Sequence, residues 1–116
     1  MKTLNGATTL STAIVLFAMT AVPSFAGALK GDNGHVASGS ATIDQNMVEL
    51  GADFKFDGGP DVYVAIKKDG EIQLIEKLRA NDGAQSYALP SGGEGADEVL
   101  LFCKKFNVTL GKAKLN

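Results

Sequence analysis

Apolar and polar residues alternate with a period of two along much of this chain. The clearest run sets Val48, Leu50, Ala52, Phe54 and Phe56 against Glu49, Gly51, Asp53 and Lys55. One face is apolar and the other polar, as a half-buried strand requires. Val62, Val64 and Ile66 repeat the pattern, and so, more weakly, do Val36 to Ile43 and Tyr87 with Leu89. No stretch after Gly27 carries a helical period. Turn-forming clusters punctuate these runs: Asp44-Gln45-Asn46, Asp57-Gly58-Gly59-Pro60, Asn81-Asp82-Gly83 and Ser91-Gly92-Gly93. The spacing predicts about seven to eight short strands in a small all-β fold, an antiparallel β-sandwich or flattened barrel.

Two local features lead to finer expectations. Around Asp69-Gly70, a two-residue turn pairs Lys67 with Ile72 and Ala65 with Leu74. A three-residue loop, Lys68-Asp69-Gly70, pairs Ile66 with Ile72 and Val64 with Leu74, which keeps one face apolar, so the three-residue register is expected. In the run from Val99 to Leu110, Val99, Leu101 and Cys103 have one parity and Phe106, Val108 and Leu110 the other. A single bulge near Lys104-Lys105 puts all six on one face and leaves both lysines near solvent. The expected core is Val36, Val48, Leu50, Phe54, Phe56, Val62, Val64, Ile66, Ile72, Leu74, Leu78, Tyr87, Leu89, Leu101, Phe106 and Val108.

The first 26 residues read as a signal peptide. A weakly positive start at Lys2 precedes an apolar run from Ala13 to Ala21. Ser24 and Ala26 then occupy the small-residue positions of a cut before Gly27. That run falls well short of the ~20 residues needed to span a bilayer, so no stable membrane anchor is expected. The expected product is a periplasmic or secreted single domain, residues 27–116. Loss of Lys2 leaves ten bases against thirteen acids, a net charge of −3. Mild acidity without a basic stripe argues against nucleic acid as a partner.

In an exported chain a lone cysteine stands out, because oxidising compartments favour pairs. Cys103 is the only one here. It is a small buried hydrophobe, a bond to another molecule, or a working thiol. Lys104 and Lys105 favour a thiolate there, burial opposes one, and burial is expected to dominate. His35, the only histidine, reads as a surface or hydrogen-bonded residue unless the fold brings it to Cys103, where the two form a mixed N/S ligand pair. Blue copper needs two histidines beside its cysteine, and covalent haem attachment needs C-x-x-C-H. The chain has neither. Asp57-Gly58-Gly59-Pro60-Asp61 lacks the alternating carboxylates of a calcium loop and reads as a tight turn. Asn107-Val108-Thr109 fits a glycosylation sequon inside a predicted strand. No nucleophile–base–acid set assembles, so an electron-transfer or binding module is expected rather than an enzyme.

Several blocks together resemble a known family. They are His35-Val36-Ala37-Ser38-Gly39, then Phe54 to Val64 with its Phe-x-x-Asp-Gly-x-Pro-Asp core, then Leu78, Gly83 and Tyr87-Ala88-Leu89-Pro90. Val99 to Val108, with Cys103-Lys104-Lys105-Phe106, and Gly111, Ala113 and Leu115 complete the set. The chain resembles the DM-thirteen domain, also called the electron-transfer DM domain. The resemblance implies a small extracytoplasmic β-sandwich acting in electron transfer or oxidative modification, with an extracytoplasmic redox partner. It implies that Cys103 works as a naked thiol or as the ligand of a prosthetic group such as haem. The alternative is a non-catalytic binding or envelope-associated module in which Cys103 is purely structural.

Overall fold

A computed structural model describes residues 24–116; most of the predicted leader lies outside the described residues. The strands are β1 (Phe25–Gly31), β2 (Ala37–Ser38), β3 (Ser40–Asp44), β4 (Met47–Leu50) and β5 (Lys55–Phe56). They continue with β6 (Val62–Lys68), β7 (Glu71–Lys77), β8 (Gln85–Ala88), β9 (Glu98–Cys103) and β10 (Val108–Lys114). Eight form one antiparallel sheet in the order β7-β6-β9-β10-β1-β3-β4-β8, and β2 pairs with β5 beside it. The sheet curls into a nearly closed barrel. Between the expected sandwich and flattened barrel, the structure is the barrel.

Its two edges, β7 and β8, are joined by side chains rather than a ladder. The Arg79 backbone N–H donates to Tyr87 Oη at 3.0 Å, and the Arg79 guanidinium donates to the Ser86 carbonyl. That guanidinium also lies 4.2 Å from the centroid of the Tyr87 ring. Curling brings the inward residues of every strand onto one core: Val48, Leu50, Phe54, Val64, Ile66, Tyr87, Val99, Leu101 and Cys103 are almost wholly buried. A smaller cluster of Ala65, Leu100 and Phe102, with Leu74 against it, packs apart from that core.

Several local expectations change. The run from Val48 to Phe56 is two strands, β4 and β5, broken by a turn in which the Phe54 N–H bonds the Gly51 carbonyl. Ala52 is exposed, while the parity of Phe54 and Phe56 survives. Between β6 and β7 the turn has two residues, not three. Asp69 and Gly70 both take positive φ (51° and 84°), and Lys67 faces Ile72 while Ala65 faces Leu74. Two positive-φ residues match the right-handed strand twist. This register packs Leu74 on the smaller cluster and leaves Ile72, expected inside, 42% exposed.

The expected bulge at Lys104-Lys105 is instead a reversal of the chain. Residues 104–107 form the turn of the β9–β10 hairpin, which pairs Val108 with Cys103. Phe106 therefore sits exposed on the turn rather than in the core. A register shift does occur, but between Thr109 and Gly111, and Leu110 turns into the core there. The sequon at Asn107 begins in the exposed turn, not within a strand. Val36, expected inside, is exposed just before β2.

Candidate functional site

Cys103 is the last residue of β9, flanked by Val62 of β6 and Val108 of β10. It has the inward parity of Val99 and Leu101 and belongs to the main core, with 1% of its surface exposed. Strand alternation alone dictates this direction. Above it runs the β5–β6 loop, residues 57–61, and the Cys103 thiol donates to the Pro60 carbonyl across 3.1 Å.

The loop is tied down at several points. The Asp57 N–H bonds the Val36 carbonyl, and the Lys104 N–H bonds the Asp61 carbonyl. Asp61 pairs with Lys77 at 3.4 Å. Asp57 Oδ1 lies 3.1 Å from Nδ1 of His35, whose ring is tilted against Phe56. Partial desolvation pulls the Asp57 carboxyl upward, but bonds from His35 and the Val36 backbone outweigh it and hold it below the usual carboxylate range. Gly59 is the residue the close approach demands. A Cβ there would lie 2.8 Å from Leu110 Cδ1, 3.4 Å from Val62 Cγ2 and 3.5 Å from His35 Cε1.

His35 and Cys103 thus engage the same loop through different residues, Asp57 and Pro60, and no hydrogen bond joins them among the described residues. Lys104 and Lys105 are exposed, as expected, with their ammonium groups 5.5 Å from the ring centroids of Tyr63 and Phe106 respectively. No group of three or more His, Cys, Asp and Glu able to hold a metal occurs among the described residues. Nor does a described helix reach the length and apolarity needed to cross a membrane. Reading the sequence alone missed Gly59 and Pro60 as site residues. The Gly-Gly-Pro turn signal was visible, but its contact with a strand end far along the chain was not.

This is a small all-β module whose single thiol is closed over by one glycine-proline loop. The chain belongs to the Electron transfer DM13 family, whose model matches residues 28–115. The comparison with curated proteins finds no match, and neither does the comparison with solved structures. The family's description points to an electron-transfer module. A haem or other prosthetic group ligated by Cys103 does not fit this closed arrangement. The sulfur is 1% exposed, and it is engaged by the Pro60 carbonyl of the covering loop.

Proposed function

We propose that this chain is an exported electron-transfer module that works through the Cys103 thiol. The reading rests on family membership together with one observation: the only cysteine lies at a strand end, a single loop below the surface. The leader pattern of residues 1–26 supports export to the periplasm or beyond. A lone thiol has one balanced two-electron reaction with an external disulfide. Once the loop lifts, Cys103 loses its proton to water, and its sulfur attacks one sulfur of the disulfide. A mixed disulfide forms and the other sulfur leaves as a thiolate. No second cysteine is present to resolve that bond, so an external dithiol must return Cys103 to the thiol.

A second reading, a non-catalytic envelope or binding module, draws support from the same hydrogen bond, which also suits a purely structural cysteine. Thiol reactivity separates them. On the redox reading, folded protein exchanges with an aromatic disulfide at a rate set by loop opening, and Cys103→Ser abolishes the exchange without unfolding the domain. A thiol that reacts only at the rate of global unfolding would overturn it.

A further inference from the structure

We infer that the loop end of the barrel above Cys103 is a docking face for an acidic protein surface with a protruding apolar side chain. Three segments make this face, and backbone or side-chain bonds join them. Asn33 Nδ2 donates to the Thr109 carbonyl and the Asp32 N–H to the Leu110 carbonyl, tying residues 32–36 to the start of β10. The Asp57 N–H bonds the Val36 carbonyl, and the Lys104 N–H bonds the Asp61 carbonyl, tying both neighbours to the 57–61 loop. The two most exposed large hydrophobic side chains of the described residues stand here, Val36 at 68% and Phe106 at 63%. An open groove lined by Val36, Ser38, Lys55, Phe56 and Asp57 adjoins the first.

Charge decides the occupant. Every aspartate of these segments already has a basic or imidazole partner: Asp32 with Lys112, Asp57 with His35, and Asp61 with Lys77. Lys104 and Lys105 have no carboxylate partner among the described residues; their nearest noted neighbours are aromatic rings. On a chain of net charge −2, this end therefore has uncompensated positive charge around exposed apolar groups. Exposed apolar side chains beside lysines without carboxylate partners suit a small, electrostatically steered, transient interface. The face includes the 57–61 loop, so it adds a docking site to the redox reading without depending on it.

The test is an amide NMR titration with a short synthetic peptide of one phenylalanine flanked by glutamates, beside its lysine-flanked counterpart. We expect the acidic peptide to shift residues 32–36, 57–61 and 104–107 and the basic one to leave them in place. The Lys104→Glu/Lys105→Glu double variant, with an unchanged thermal midpoint, should weaken binding by at least about tenfold, and so should a rise to high salt. No binding, equal binding of both peptides, or shifts elsewhere would overturn the inference. So would concentration-dependent shifts of these amides without peptide, which would make the face a self-association surface. Binding to phosphatidylserine vesicles in place of the peptide would make it a membrane surface and overturn it too. Peptide binding involves no thiol chemistry, so its failure and that of the redox reading are separate results.

Discussion

The Cys103 thiol donates a hydrogen bond to the carbonyl of Pro60, 3.1 Å away and 43 positions earlier in the chain. The contact closes the end of the barrel at the junction of β6, β9 and the loop between β5 and β6. It also places the only cysteine one loop beneath the surface.

Loop release can be measured directly. His35 anchors Asp57 at one end of that loop, so His35→Ala should speed labelling of Cys103 by an aromatic disulfide several-fold while leaving the urea midpoint nearly unchanged. Cys103→Ala should cost about 1–2 kcal/mol, for one hydrogen bond and a small void. Equal labelling rates with and without His35 would mean that the Asp57 contact does not hold the loop.

Phe54 is fully buried in the main core, at the turn between β4 and β5. Phe54→Ala should cost roughly 3–5 kcal/mol, a large share of the stability of so small a domain. Urea unfolding checks this; a loss below about 1 kcal/mol is incompatible with a buried aromatic there.

Two glycines should fail for different reasons. Gly70 takes φ 84° in open space, so Gly70→Ala carries only the backbone penalty of the left-handed region. Gly93 has ordinary φ, but a Cβ there would lie 2.9 Å from Ile66 Cδ1 and 3.0 Å from Leu89 Cδ1. Gly93→Val should therefore lower the thermal midpoint more than Gly70→Ala, by overpacking worth about 1–3 kcal/mol. Gly70→Asn should be milder than Gly70→Ala, since asparagine tolerates that region.

Acid should weaken the domain partly through Asp53. Its Oδ1 accepts from the Ser40 backbone N–H at 3.1 Å and from Ser40 Oγ at 3.0 Å. The backbone bond is the main reason its carboxyl is held below 3.8, with the hydroxyl bond next. A carboxyl depressed by folding contributes stability above its unfolded value and loses it as pH falls through the lower folded value. Urea midpoints measured from about pH 6 to about pH 2.5 should fall less steeply in Asp53→Asn than in the native chain. Parallel curves would show that Ser40 does not couple to this titration.

Alternation was enough to determine the fold class and the facing of most strands. Val62, Val64 and Ile66 enter the barrel, as do Val48, Leu50 and Tyr87, because side chains on a strand alternate whatever the strand pairs with. The same rule turned Cys103 inward, whereas Lys104 and Lys105 reach solvent because they lie in the turn between β9 and β10. Where pattern failed, a partner strand had changed the meaning of a residue. Leu100, Phe102 and Ala65 are apolar on the parity opposite the main core and form a cluster of their own. That cluster made the two-residue Asp69-Gly70 turn acceptable, although it looked mispatterned in isolation.

Chain reversal was the other blind spot. Lys104 to Asn107 has no Gly or Pro, so the residues from Val99 to Leu110 read as one interrupted strand. In the fold, Asn107 takes the left-handed conformation at φ 54° and β10 returns beside β9. Phe106 is thereby moved from core to surface, beside exposed lysines. Cys103, Gly59 and Pro60 could each be named from the sequence, but their meeting could not. Local pattern governs which way a side chain points from its own strand. What it meets depends on the order of strands around the barrel, and only the tertiary structure decides that.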